Sequence, residues 1–208
     1  MSLFDFFFTP KCINCGKYID RGAYLCADCL LLWQSERITT DGDVISIAKY
    51  NKNHNTIARA LVLKMKSFND IRLYEFLADE LMPALNDKLS EIEYITNVPR
   101  TKENIRENGL DQAALLAKMI AKKNNLTYVD TLENHSKTVQ KLLNFDERKI
   151  NAGKAYTIKR KFADKLHGHK ILLIDDVTTS GASLKSCRDV LLQNGAANVV
   201  LATICVTL

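Results

Sequence analysis

At 208 residues the chain has room for one ordinary domain and a small appendage. A hydrophobic fraction of 47% with 25% charged residues excludes a disordered chain, and no apolar run approaches the roughly 20 residues that span a bilayer. The net charge of +5 is compatible with an anionic ligand but is not diagnostic of one.

In chain order, MSLFDFFFTP comes first. It is apolar and short, without a basic leading region or a small-residue cleavage site, so it reads as neither signal peptide nor anchor. The expected location is the cytoplasm. The Phe-rich Leu3–Phe8 stretch reads as packing on the neighbouring domain, with a partner-docking patch as the other reading. Next come two knuckles, Cys12-x-x-Cys15 and Cys26-x-x-Cys29, which hold four of the six cysteines. A secreted disulfide framework would spread its cysteines, so this clustering suggests a reducing compartment and a metal site. Two CxxC turns can aim four thiolates at one point, the tetrahedral shell that zinc prefers. An iron–sulfur centre and a redox dithiol are the alternatives. Four thiolates leave no open position, so the expected zinc is structural, and residues 1–35 read as a zinc ribbon that needs this staple.

An α/β pattern fills residues 44–208. Val44–Tyr50 reads as a strand. Thr56–Lys66 reads as a helix with Ile57, Ala60, Leu61 and Leu63 on one face. A second helix is expected from Asp70, through Leu73, Phe76, Leu77 and Leu81. Glu93–Val98 is a strand stopped by Pro99, Leu110–Asn124 an amphipathic helix, and Tyr128–Leu132 a strand. Lys170–Ile174 is apolar enough for the buried centre of a parallel sheet. Ser183–Gln193 is a helix ended by Asn194-Gly195, and Asn198–Val206 a closing strand. Strands alternating with helices predict a mainly parallel sheet flanked by helices. Cys187 and Cys205 are expected in its core. The histidines show no metal spacing.

The most informative stretch is Ile171-Leu-Leu-Ile-Asp-Asp-Val-Thr-Thr-Ser-Gly-Ala-Ser183. A buried strand ends in two carboxylates, and a hydroxyl-rich loop then opens a helix. Ligands of open α/β sheets sit beyond the carboxyl ends of strands, and a helix N-terminus seats phosphate. Thr178, Thr179, Ser180 and Ser183 offer hydroxyls, while Gly181 and Ala182 keep the approach open. A ribose 5-phosphate satisfies both ends, with its phosphate in the loop and its 2- and 3-hydroxyls on Asp175 and Asp176. The plainer reading is a strand followed by a capped helix. No Gly-Lys-Ser/Thr follows, so it is not a nucleoside-triphosphate P-loop.

This stretch resembles the phosphoribosyl pyrophosphate (PRPP) signature of type I phosphoribosyltransferases, in which the two acids contact the ribose and the loop binds its 5-phosphate. Val98-Pro99-Arg100 and Arg106-Glu-Asn-Gly-Leu-Asp-Gln112 resemble the VP…RGFNQ pattern of the ComF family of competence-associated proteins. Gln140-x-x-Leu143, Arg148-x-x-Asn151 and Tyr156 resemble a further run of that family, and Lys66 with Asp70 falls where it has a Lys before an acid. The cysteine knuckles are also typical of it. The resemblance implies a type I phosphoribosyltransferase-like fold. It implies that Asp175 and Asp176 are the acids of the reaction centre, and that Thr178–Ser183, Pro99, Arg100 and Lys66 bind PRPP with Mg²⁺. It also implies that Arg106–Gln112 belongs to a mobile loop over the site. Asn108 and Asp111 depart from the pattern by removing a cation and adding an acid, which is expected to weaken pyrophosphate binding, with Arg100, Lys102 and Arg106 compensating.

Between Arg148 and Lys170 stand eight Lys or Arg and one acid, with Tyr156 and Phe162 interspersed. Arg148, Lys159, Arg160 and Lys161 are candidates for single-stranded DNA, with charges on phosphates and rings on bases. A solvated basic hairpin is the other reading. Two functions remain open. One is a competence-type protein of DNA uptake that binds PRPP or a related sugar phosphate, single-stranded DNA and competence proteins, without membrane insertion. The other is an active phosphoribosyltransferase acting on an unidentified base or amine.

Overall fold

The computed structural model describes residues 9–50, 53–67, 70–135, 155–162 and 164–207. Leu3–Phe8, Gln140, Leu143, Arg148 and Asn151 lie outside them.

Both knuckles are formed by tight turns. Lys11 pairs with Tyr18 across the first, and Gly16 sits at φ +77°, where any side chain would be strained. The second knuckle runs directly into α1 (Ala27–Glu36), with Cys26 as its N-cap residue. Cys29 and Trp33, one turn apart, point inward, whereas Leu30, Leu31 and Leu32 lie exposed. The sequence reading had neither α1 nor the strand β1 (Arg37–Asp41) that follows it. The β-branched run Ile38-Thr39-Thr40 was the available signal for β1.

β2 (Val44–Tyr50) is parallel to the last strand, and β1 pairs with it antiparallel. α2 (Ile57–Ser67) buries Ile57, Ala58, Leu61, Val62 and Met65, so the stripe is rotated from the expected one and Leu63 faces out. α3 (Ile71–Leu89) is capped by Asp70, whose carboxylate accepts from Arg72 N–H at 3.0 Å. Its buried face includes the expected Leu73, Phe76, Leu77 and Leu81 and adds Tyr74. β3 (Tyr94–Asn97) leads to Pro99, and two helices follow it: α4 (Lys102–Asn108) and α5 (Gln112–Lys123).

Two expectations are corrected here. The stretch Arg106–Gln112 is not a loop. It ends α4, turns at Gly109 (φ +75°) and starts α5 with Gln112 wholly buried. Tyr128–Leu132 is not one strand either. β4 (Thr127–Tyr128) extends the main sheet, and β5 (Leu132–Asn134) pairs antiparallel with β6 (Tyr156–Ile158). The switch occurs at Thr131, whose buried hydroxyl meets that of Thr96 at 2.9 Å.

After two short 3₁₀ turns at Arg160–Phe162 and Asp164–Leu166 comes β7 (Lys170–Thr178), longer than expected because pairing with its neighbour continues past the acids. α6 (Ala182–Gln193) and β8 (Asn198–Thr207) close the fold. The main sheet has the order β1-β2-β8-β7-β3-β4, parallel apart from β1, with β7 near its centre. Leu172 and Ile174 belong to a core with α2, α3 and α5, whereas Ile171 and Leu173 belong to one with α6 and Leu132. The chain is therefore an α/β protein with helices on both faces of a mainly parallel sheet. Cys187 and Cys205 are buried core residues as expected. Cys12, Ile13, Leu25, Cys29 and Trp33 share the core of α2 and α3. Among the described residues no helix is long and apolar enough to cross a membrane.

Candidate sugar-phosphate site and four-cysteine cluster

The carboxyl ends of β3, β7 and β8 come together on one edge of the sheet because the strands run parallel. Val98 N–H still donates to Ile174 O at 2.9 Å, which holds the Pro99-Arg100 corner beside the acids. Asp175 and Asp176 follow the buried run of β7 side by side, and their carboxyls stay close enough to interact directly. Asp176 lies on the α2–α3 side, 7% exposed, and its Oδ2 accepts from Arg100 Nη2 at 2.8 Å. Its own carbonyl accepts from Thr203 Oγ1 at 3.0 Å, which pins the strand end to β8. Asp175 lies towards α6, near Cys187 and Tyr156, where its charge raises both their pKa values, burial being the larger cause for each.

Burial, and then the charge of Asp176, push the Asp175 carboxyl well above its ordinary value of 3.8. The folded chain then keeps a proton that the unfolded chain releases, so stability falls as pH rises from the unfolded value through the folded one. Asp175→Asn removes that penalty. It is expected to melt higher than the unsubstituted chain at neutral pH, with the gain gone by about pH 4 in a series of thermal melts. An equal gain at every pH would show that the titration of Asp175 is not its source.

Beyond the acids, Thr178 is buried in the strand, whereas Thr179 and Ser180 are exposed. Gly181 precedes α6 at φ +71° and supplies no side-chain cap. Ser180 Oγ reaches Ala182 N–H only at 3.4 Å. The first-turn amides of a 12-residue helix thus open towards the loop, while the Ser183 hydroxyl bonds to Tyr156.

Arg100 joins this corner to a cleft of about 610 Å³ between α4, α5, β4 and the β5–β6 hairpin. Pro99, Lys102, Arg106, Tyr128, Asp130 and Asn134 are among the residues that line it. The Pro99 carbonyl accepts from Asn134 Nδ2 at 2.9 Å, and Tyr128 OH donates to Asn97 Oδ1 at 2.7 Å. Asp111 caps α5 through Ala114 N–H at 3.0 Å, and burial pushes its carboxyl up against the pull of that amide. Its charge is therefore engaged inside the protein. Gln112 does not face the cleft but is buried with its amide on Met65 O, and Lys66 is exposed on the last turn of α2. Asn97, Tyr128 and Asn134 were not singled out from the sequence. The position of Asn97 at a strand end beside Val98-Pro99 was the only hint of them.

Lys159 pairs with Asp130 at 2.5 Å, while Arg160 and Lys161 are exposed. Lys161 and Lys165 both lie against the ring of Phe162, at 4.8 and 6.0 Å from its centroid.

At the other end of the chain, the sulfurs of Cys12, Cys15, Cys26 and Cys29 all lie within 4.8 Å of one another. A tetrahedral zinc site with sulfurs at ~2.3 Å has edges of about 3.8 Å, so the cluster has suitable dimensions. Burial opposes ionisation of Cys12, but the backbone amides of Cys15, Cys26 and Asn14 overcome it and bring the thiol down to about 6. Asn14 Nδ2 donates to Cys29 Sγ at 3.3 Å. Donors already aimed at sulfur are the surroundings a thiolate-bound cation requires.

No protein-family model matches the chain, and no curated protein matches it. Among solved structures, it is similar to glutamine phosphoribosylpyrophosphate amidotransferase from B. subtilis, with 14% identity and a TM-score of 0.46 over 68% of this chain and 30% of that one. It is similar over the same shares to a structure described as the allosteric regulatory enzyme of purine biosynthesis, at 14% identity and a TM-score of 0.47. A hypoxanthine phosphoribosyltransferase from Staphylococcus aureus matches at 14% identity with a TM-score of 0.41, over 62% of this chain and 61% of that one. The chain thus spans less than two thirds of each of these proteins.

Proposed function

We propose that the protein binds PRPP or a related ribose 5-phosphate at the carboxyl end of β7, with a divalent cation such as Mg²⁺ accompanying it. The observation that carries this reading is the uncapped N-terminus of α6, which opens behind Gly181 one short loop beyond the acids. The 5-phosphate sits on the amides of Ala182 and Ser183 with the hydroxyls of Thr179, Ser180 and Ser183. Asp175 and Asp176 take the ribose hydroxyls, and Arg100 faces the pyrophosphate arm. The four cysteines hold structural zinc.

Around that site we read a ComF-like cytoplasmic protein of DNA uptake. Its support is the sequence resemblance together with exposed Arg160 and Lys161, while the ring of Phe162 stands between two lysines. The cleft beside Arg100 favours a second reading, an active phosphoribosyltransferase, because about 610 Å³ leaves room for an acceptor next to the sugar. Its catalysis would be electrostatic, with Asp175 and Asp176 offsetting positive charge on the ribose and Arg100 receiving the departing pyrophosphate.

The test is a calorimetric titration of Mg²⁺-PRPP into the zinc-loaded protein and into Asp175→Ala/Asp176→Ala. Binding is expected, with at least a tenfold loss in the double variant; no binding by the folded parent chain would overturn the reading. A parallel titration with a single-stranded oligonucleotide at rising salt tests the nucleic-acid part. Salt-independent or absent binding, or no effect of charge reversal at Arg160 and Lys161, would remove it. Acceptor-dependent release of pyrophosphate would select the transferase reading.

A further inference from the structure

The last turn of α2 faces two ways. Outward, the Lys64 ammonium donates to Ile13 O at 2.5 Å and to Asn14 O at 2.6 Å. Those carbonyls lie inside the Cys12–Cys15 knuckle. Four thiolates around a divalent cation carry a net double negative charge, so a buried-side ammonium on the knuckle backbone both fixes the turn and offsets that charge.

Inward, the same turn presents the Met65 carbonyl, one of those that a helix end leaves without an intrahelical donor. Gln112 Nε2 donates to it at 3.2 Å and Tyr74 OH at 3.3 Å. Both side chains are fully buried. Gln112 follows Asp111, whose carboxylate caps α5 and also accepts from Asn97 Nδ2 at 3.4 Å. The Tyr74 hydroxyl is pushed up to about 12, first by burial and then by the charge of Asp176, with Arg100 opposing. The geometric link runs through the neighbour of Gln112: the Asp111 carboxylate also accepts from the Arg100 backbone amide, and Arg100 in turn holds Asp176 at 2.8 Å. Consecutive residues of one helical turn thus connect the cysteine knuckle on one side to the floor of the sugar-phosphate corner on the other.

We propose that Lys64 is a positioning residue: it ties the metal-holding knuckle to α2 and, through the Met65 carbonyl, Gln112 and Tyr74, fixes the placement of Arg100 and Asp176. The effect on ligand binding rests on the sugar-phosphate reading; the mechanical coupling does not.

The experiment compares Lys64→Met and Lys64→Arg with the full-length parent chain by zinc analysis, amide hydrogen exchange and Mg²⁺-PRPP titration. In Lys64→Met the amides of Val98, Asp176 and Val177 are expected to exchange roughly tenfold faster at unchanged zinc content, with a similar loss of affinity. Lys64→Arg, which retains a cationic donor, is expected to restore both. Lys17→Met breaks the exposed Lys17–Asp28 pair on the same ribbon and is expected to leave those amides unchanged. Unaltered exchange in Lys64→Met overturns the proposal, as does failure of Lys64→Arg to restore protection. Should Lys64→Met lose zinc or fail to fold, Gln112→Leu decides, because it cuts the link on the far side of Met65. Faster exchange at the same amides supports the coupling, and no change overturns it. A parent chain that binds no PRPP removes the sugar-phosphate reading alone, since the exchange data still judge the coupling.

Discussion

Replacing Cys26 with Ser is expected to lower the melting temperature of the whole chain and to abolish stoichiometric zinc. The cysteine cluster has no separate core: Cys12, Ile13, Leu25, Cys29 and Trp33 are buried with the residues of α2 and α3. The anchoring continues in polar contacts, with Trp33 Nε1 donating to Glu80 at 2.7 Å and Arg72 Nη2 to Lys11 O at 2.9 Å. Metal binding to a site absent from the unfolded chain adds its free energy to folding. A loss of about 4 kcal/mol, or roughly 10 °C for a chain of this size, is the expected scale. Trp33 is the single tryptophan and is fully buried, so its fluorescence reports the ribbon directly. It should shift to the red in the same transition that circular dichroism follows. An early fluorescence change with the α/β part melting as before would show instead that residues 1–35 are an independent domain.

Arg100→Met is expected to destabilise the fold and weaken PRPP binding together. The Arg100 and Asp176 side chains are 21% and 10% exposed, so removing the guanidinium leaves a largely buried carboxylate without its partner. Breaking such a pair costs about 3 kcal/mol, and losing the cation beside the pyrophosphate should cost at least tenfold in affinity. The double variant Arg100→Met/Asp176→Asn separates the two effects. Without a charge to strand, it should regain most of the stability measured by urea unfolding and none of the affinity measured by calorimetry. Recovery of affinity in the double variant would mean that Arg100 serves only to neutralise Asp176.

The retention of Asp175 bears on the same question. A carboxyl held high by burial and by a neighbouring acid lowers stability at neutral pH, and groups of that kind concentrate at functional sites. Asp175 Oδ1 accepts from Asp176 N–H at 2.9 Å, a bond that a neutral amide oxygen can make equally well.

Much of this was legible in the residues themselves. Two CxxC turns can converge on one point whatever surrounds them, because the spacing is local. The apolar run Ile171–Ile174 followed by acids, hydroxyls and Gly181 specifies a buried strand and the start of a helix, again from local chemistry. Asp70 and Asn194-Gly195 marked helix ends where the structure has them. The element boundaries that were misread share a cause. Arg106–Gln112 and Tyr128–Leu132 are short, and their form depends on distant partners: Met65 for Gln112, Thr96 for Thr131.

The sequence by itself determined which groups stand together, namely four thiols in two close pairs and two acids ahead of a hydroxyl-rich helix start, because these depend on residue type and near spacing. Tertiary structure alone decided the arrangement. The parallel sheet brought Arg100 to Asp176 across 76 positions, and α2 was set against the cysteine knuckle. Those relations arise from burying apolar faces against one another, a non-directional force whose outcome is fixed only when every element is in place.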